Sequence, residues 1–245
     1  KALAKAKMEP QLLQHLVTAE QEDRELVQLK QVPVTIRETL LLVEDRDFYS
    51  HHGVSPLSVL RALITNIQAG QTVQGGSTLT QQLAKNMYTN QQRNMVRKVN
   101  EALIALVLDY RYSKDQILEA YFNEIFIGQF KDDPVHGLGL GSKLYFGKPL
   151  AELRPHEYAL LIAIIKGPSY YDPRRFPERA AQRRDLILHL MEEHGLLDGE
   201  QTKAALEQPL DVIPIGQHLK GKYPAYIDKV RQELRELVTD PLQMQ

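Results

Sequence analysis

The sequence of 245 residues predicts a mainly α-helical fold, and three observations carry that prediction. Apolar residues recur at spacings of three and four along most of the chain, capping and stop residues bracket those segments, and no half of the sequence has strand-like alternation. Hydrophobic residues make up 43% of the chain, enough for one large domain or for two lobes around a cleft.

The elements follow in order. The apolar run Leu40, Leu41, Leu42 and Val43 reads as the end of a buried helix that stops on Glu44. Ser55 and Pro56 then read as N-cap and first residue of a helix over 55–68, with Leu57, Leu60, Leu63, Ile64 and Ile67 on one face and Gly70 as its stop. Ser77 is placed to cap a second helix running to Asn86, and a long third helix is expected over 91–112. Ser113 and Gln116 match a capping box that opens a fourth. Two more, over 155–166 and 177–194, each begin at a proline and end at Gly167 and Gly195. Between helices lie two glycine-rich stretches, 70–76 and 134–147, both expected to be mobile loops walling a cleft.

Composition excludes several functions. With 30 basic and 31 acidic residues the net charge is −1, so no overall field favours nucleic acid and any cationic site must be a local cluster. The absence of cysteine removes disulfides and thiolate chemistry. The longest apolar stretch, 159–165, is far short of the roughly 18–20 residues of a membrane span, and Lys1 opens no signal-peptide pattern. The expectation is a domain that is soluble or rests on a surface. Gly137, Gly139 and Gly141 do not make GxGxxG and follow no predicted strand, and His156-Glu157 has Leu160 where a zinc-binding HExxH needs histidine.

Three stretches can carry chemistry. Glu44 sits at the rim of a core, where a carboxylate loses water and becomes a better base; a surface ion pair with Arg46 or a capping role is the plainer alternative. In GGSTLTQQLAKN, residues 75–86, two glycines lead into a helix start whose N–H groups and dipole suit a phosphate. Only Leu79, Leu83 and Ala84 are left there for a core, and a solvated polar helix is the alternative. Arg97, Lys98 and Glu101 share one helical face, either as an intrahelical salt bridge worth about 0.3–0.5 kcal/mol or as cations for a phosphate beside an acid. The segment 102–108 is apolar almost all round, which predicts that this helix is the buried centre of the fold and that Glu101 stands at the core boundary. Two boundary acids predict a cleft.

These motifs resemble the peptidoglycan glycosyltransferase domain, glycosyltransferase family 51, of class A penicillin-binding proteins. EDxxFxxHxG is matched by Glu44, Asp45, Phe48, His51 and Gly53, and GxSTxTQQLxKN from Gly75 to Asn86. RKxxE is matched by Arg97, Lys98 and Glu101, and KxxILExYxN by Lys114, Ile117, Leu118, Glu119, Tyr121 and Asn123. KGPSYYDP at 166–173 and RRDLIL at 183–188 agree as well, and Met8-Glu9-Pro10 with Glu22-Asp23-Arg24 is similar to the approach to this domain in Gram-negative type 1b proteins.

The resemblance implies a lysozyme-like, two-lobed helical fold with a large head lobe and a small membrane-associated lobe, the latter holding the 55–68 helix. It divides the chain into an approach segment (1–30), a glycosyltransferase domain (31–215) and the start of a linker (216–245) toward a transpeptidase whose SxxK, SxN and KTG motifs are absent here. A truncated bifunctional protein and a monofunctional enzyme are both compatible with that. The implied activity is a hexosyl transfer: lipid II is polymerised into β-1,4-glycan with inversion and release of undecaprenyl pyrophosphate, at the periplasmic face of the bacterial inner membrane. By matched position Glu44 is the general base and Glu101 the second acid. Lys85, Arg97 and Lys98 meet the pyrophosphate, while Ser77, Thr78, Gln82, Asn86, Tyr121, Lys166 and Ser169 fall where the family lines its donor site. Implied partners are lipid II, the growing glycan chain, the membrane surface and other cell-wall synthesis proteins, with no nucleic acid; moenomycin is the family's inhibitor. Metal dependence stays open, since any Mg²⁺ or Mn²⁺ would be held by Glu101 together with the pyrophosphate. Two rivals are a lysozyme-like hydrolase, which has no need of three cations beside its second acid, and an inactive membrane scaffold.

Overall fold

A computed structural model describes residues 25–57, 75–88, 95–130 and 133–214. The helix and glycine loop expected after Pro56, the first turn of the long helix, most of the approach segment and the linker lie outside the described residues, apart from helical backbone at Pro56 and Leu57.

Helix α1 (Val34–Glu44) starts behind Pro33 and ends with Asp45 as C-cap. Its buried Ile36, Thr39 and Leu40 recur at i, i+3 and i+4, one helical stripe. Helices α2 (Leu79–Tyr88), α3 (Met95–Arg111) and α4 (Lys114–Glu124) come next, and α2 packs on both α3 and α4. The capping box read from Ser113 and Gln116 opens α4: the serine hydroxyl accepts from Gln116 N at 3.3 Å and the glutamine side chain accepts from Ser113 N at 2.9 Å.

Strands β1 (Phe126–Phe130) and β2 (Asp133–His136) pair antiparallel, with an irregularity between Phe126 and Gly128. Helices α5 (Leu138–Phe146), α6 (Pro155–Ile165), α7 (Pro177–Glu193) and α8 (Gly199–Leu206) complete the described fold. Short 3₁₀ turns stand at Leu29–Gln31 and Leu150–Glu152.

The buried centre is α6, not α3. Every residue from His156 to Ile165 is buried, and α1, α5, α7, α8 and β1 surround the helix. Among the described side chains of α3 only Glu101 and Ala105 are buried, while Val96, Val99, Leu103, Leu106, Val107 and Tyr110 lie exposed. An apolar circumference says that a helix avoids water; it does not say whether protein or another apolar medium covers it.

The second glycine-rich stretch is likewise not a mobile loop, because it forms β2 and the buried α5. A Cβ on Gly139 would lie 2.8 Å from the Glu25 carbonyl oxygen, and one on Gly141 would lie 2.8 Å from Ile127. Those glycines permit close packing; the sequence pattern alone did not separate that use from flexibility.

Candidate active site

One cleft of about 920 Å³ is built from the ends of several helices. It takes Leu42 to Glu44 from the end of α1, Ser77 from the approach to α2, Gln81, Gln82, Lys85 and Asn86 from α2, and Arg97, Lys98 and Glu101 from α3. The segment after α6 contributes Lys166, Gly167 and Pro168, and α7 contributes Arg183, Leu186 and Leu190. The two acids, 57 positions apart in sequence, therefore face one cavity.

Glu44 stands where α1 stops. Its Oε2 accepts a hydrogen bond from Gln82 Nε2 at 2.9 Å, and Gln82 Oε1 in turn accepts from the Tyr121 hydroxyl at 2.9 Å. Part of the residue's surface opens to the cleft, yet the atoms crowding its carboxyl group strip away water. This burial raises its proton affinity above the ordinary carboxylate value; the Gln82 bond and the charges of Arg183 and Lys166 oppose the rise, and Asp45 adds to it. Arg46 does not take the ion-pair role, since its Nε donates to the Leu42 carbonyl oxygen at 3.1 Å.

Asp45, next along, is buried and turns away from the cleft. Its Oδ2 meets His51 Nε2 at 2.9 Å and accepts from Leu79 N, also at 2.9 Å. The anion that the start of α2 attracts is thus the protein's own carboxylate. Thr78, rather than Ser77, caps this helix: its hydroxyl accepts from Gln81 N at 3.1 Å, and the Gln81 side chain accepts from Thr78 N at 3.0 Å. The expected phosphate site at this N-terminus is consequently filled. The same threonine hydroxyl donates to Gly53 O at 2.6 Å. Gly53 has φ +78°, and a Cβ there would lie 2.3 Å from the Ala105 carbonyl oxygen, so only glycine lets this turn lie against α3.

Phe48 is fully buried, with Lys114 Nζ 4.9 Å above its ring. Lys114 also donates to the His51 carbonyl oxygen and to Asp109, both at 2.5 Å, which ties the turn after Glu44 to α4. Glu119 and Asn123 face the other way and hold the N-terminal segment at Leu29 N and Val27 N.

On the far side of the cleft, Glu101 is only 2% exposed. Lys98 Nζ meets its Oε2 at 2.9 Å and Arg97 Nε lies 3.4 Å from its Oε1. Lys98 also donates to Ser77 Oγ at 2.9 Å, so one lysine joins the first residue of the α2 approach to the second acid. Glu101 is a single carboxylate contacted by two cations, so a divalent ion would be held here only together with phosphate oxygens of a bound substrate. The described residues offer one cluster of candidate ligands, His156, Glu157 and Asp211, and there Lys148 and Arg154 occupy the carboxylates.

Nine predicted residues line the cleft together: Glu44, Ser77, Gln82, Lys85, Asn86, Arg97, Lys98, Glu101 and Lys166. Three do not. Thr78 is buried at 1% exposure and used in the cap, Tyr121 is fully buried behind Gln82, and Ser169 is exposed just beyond the lining Pro168. The main residue that sequence reasoning left without a role is Arg183. It faces Glu44 and Lys166 from α7, and its Nε is buried without a hydrogen-bond partner among the described residues. Its signal was periodicity: Ala180, Arg184, Ile187 and Met191 form the core stripe of α7, and Arg183, Leu186 and Leu190 repeat one position before it.

Fold and site together define a helical enzyme whose cleft sets a desolvated carboxylate across from an ion-paired one on a cationic helix. The profile of the Transglycosylase family matches residues 9–192, and the chain belongs to that family. It is 50% identical over 234 residues to penicillin-binding protein 1B of Vibrio cholerae, covering 96% of this chain and 30% of that one. The corresponding protein of Haemophilus influenzae is 46% identical over 235 residues, with 96% and 30% covered. That of Escherichia coli K12 is 42% identical over 234 residues, with 96% and 28% covered. The chain thus spans about 30% of the length of these relatives. A crystal structure of penicillin-binding protein 1A from Haemophilus influenzae aligns over 86% of this chain and 21% of that one at 22% identity and a TM-score of 0.48, too distant to carry an argument. The resemblance read from the motifs, to the Gram-negative type 1b glycosyltransferase domain, agrees with these matches.

Proposed function

We propose that this chain polymerises lipid II into β-1,4-glycan with inversion at the anomeric carbon. The observation that carries the reading is the shared cleft: Glu44, crowded and held by Gln82, and Glu101, paired with Lys98 and Arg97, line one cavity. Glu44 takes the proton from the acceptor's 4-hydroxyl, whose oxygen forms the new bond to the donor's anomeric carbon. The bond from that carbon to the undecaprenyl pyrophosphate breaks on the opposite face, and the leaving group departs with the electron pair. Lys85, Arg97 and Lys98 supply fixed positive charge to the departing pyrophosphate in a partly dry site. Glu101 holds Arg97 and Lys98 in place for that task, and Asn86, Ser77 and Lys166 line the sugar path.

The exposed stripe on α3 supports a second part of the reading, that the domain works against a membrane surface where its lipid-linked substrate resides. No helix among the described residues is long and apolar enough to cross a membrane. Location at the periplasmic face of the inner membrane, and cell-wall synthesis proteins as neighbours, belong to the same proposal. The test is incubation of the purified chain with labelled lipid II in detergent or vesicles. Long glycan strands are expected. Shortening of preformed glycan would instead establish a hydrolase, and no change in either substrate a scaffold.

A further inference from the structure

Behind the cleft lies a side-chain series that the proposed reaction does not use directly. Tyr121, on α4, is fully enclosed, and its hydroxyl donates to Gln82 Oε1 at 2.9 Å. Gln82, on α2, passes the contact on through Nε2 to Glu44 Oε2 at 2.9 Å. Burial, followed by the charges of Glu44 and Asp45, pushes Tyr121 well above the usual phenol value, so the hydroxyl keeps its proton across any working pH.

That fixed proton decides which way the amide faces. A flipped Gln82 would set its carbonyl oxygen against an ionised carboxylate at hydrogen-bond distance, two acceptors in contact; it becomes acceptable only when Glu44 carries a proton to donate. A phenol donating to Gln82 Oε1 opposes the flip, because reversal would exchange that bond for a weaker one from the amide nitrogen. The other charged groups facing Glu44 are Arg183 from α7, Lys166 beyond α6 and Asp45 beside it.

We propose that Tyr121 is a positioning residue: through Gln82 it keeps an amide N–H on Glu44 Oε2, which holds the carboxylate in its base form and leaves Oε1 for the acceptor hydroxyl. This rests on Glu44 being the base of the proposed reaction, and it assigns to Tyr121 a role at one remove from the substrate rather than on the donor site itself. Gln82 transmits the effect, so the influence of the tyrosine vanishes when the amide is absent.

The test combines Tyr121→Phe, Gln82→Met and the double substitution, all in the full chain. The glycan-forming rate is followed against pH, and the Glu44 carboxyl titration is observed by ¹³C NMR with Glu44→Gln for assignment. Tyr121→Phe is expected to move the Glu44 titration and the acidic limb of the rate profile to higher pH. Rate on the acidic side falls on the order of tenfold and is recovered as pH rises, as weakening of the Gln82 hydrogen bond to the charged Glu44 predicts. Gln82→Met moves the titration the same way, and adding Tyr121→Phe to it moves it no further. An unmoved titration in Gln82→Met, a uniform rate loss with unchanged limb in Tyr121→Phe, or additive movement in the double variant would each overturn the assignment. The NMR titration needs no turnover, so a chain that makes no glycan would sink the proposed reaction while leaving this contact series separately decidable.

Discussion

At Glu44 the local environment works against folding. Burial raises its proton affinity, so the ionised form is less comfortable in the folded chain than in the unfolded one. The sign follows: this cost is absent below the ordinary carboxylate value, grows as pH rises, and is complete once pH exceeds the raised folded value. Glu44→Gln keeps an acceptor for the Gln82 amide and removes the charge. We therefore expect this variant to form no glycan and yet to melt about 2–4 °C higher than the parent near neutral pH, a gain of roughly 1 kcal/mol for a domain of this size. Calorimetry at about pH 7 and about pH 4 checks it; the difference must shrink in acid, and a lower melting temperature at neutral pH would show that Glu44 is a structural ion. The position was legible because an apolar run ended on an acid. What the sequence withheld was partnership: Asp45 and Glu44 are adjacent and look alike, yet one accepts from Leu79 N at the start of α2 and the other faces the cleft, since successive side chains at a helix end point in different directions.

At the scale of elements, two caps hold cleft walls in register. Thr78 joins α2 to the Gly53 turn and satisfies Gln81 N, so Thr78→Val should lower stability by about 1–2 kcal/mol, read from the urea midpoint at unchanged slope. It should also reduce glycan formation, because Gln82, Lys85 and Asn86 ride on the same helix. At the start of α6, Glu157 is 1% exposed and accepts from Arg154 N at 2.8 Å and Lys148 Nζ at 2.6 Å. Burial by itself would raise its proton affinity, but those bonds outweigh burial and the net shift is downward. Its contribution is therefore present above the ordinary carboxylate value and lost as pH falls through the depressed folded one. Glu157→Gln should cost about 1–2 kcal/mol near neutral pH, as expected for weakening charge-assisted hydrogen bonds to partly exposed basic partners, and much less in strong acid. An equal penalty at both would assign the loss to shape rather than charge. Helix ends marked by proline, serine or glycine were readable in this way. Stretch 134–147 was not, because glycine signals turn and close packing alike, and only the neighbours Ile127 and Glu25 distinguish them.

Across the whole molecule, the helix expected at the centre from its apolar segment 102–108 does not lie there. The stripe Val96, Val99, Leu103, Leu106, Val107 and Tyr110 follows the 3.6-residue period along α3, and Tyr110 is 92% exposed. The same helix presents Arg97 and Lys98 to the cleft, so the apolar face and the cations that would meet a pyrophosphate are set by a single rigid rod. A lipid-linked substrate has just this division, a charged group joined to a hydrocarbon tail. If the stripe rests on the membrane, the pyrophosphate is delivered to Arg97 and Lys98 without leaving the interface. Placing Glu at both Leu103 and Val107 removes two side chains that would each gain about 1.5–3 kcal/mol on burial in lipid. The double variant should bind vesicles at least about tenfold more weakly by co-sedimentation, while its unfolding midpoint shifts by no more than about 0.5 kcal/mol, because both positions are exposed. With lipid II in vesicles its glycan yield should fall, and with lipid II dispersed in detergent it should recover. Unchanged vesicle binding would show that the stripe serves protein packing instead, and a large loss of stability would place Leu103 and Val107 against other parts of the chain.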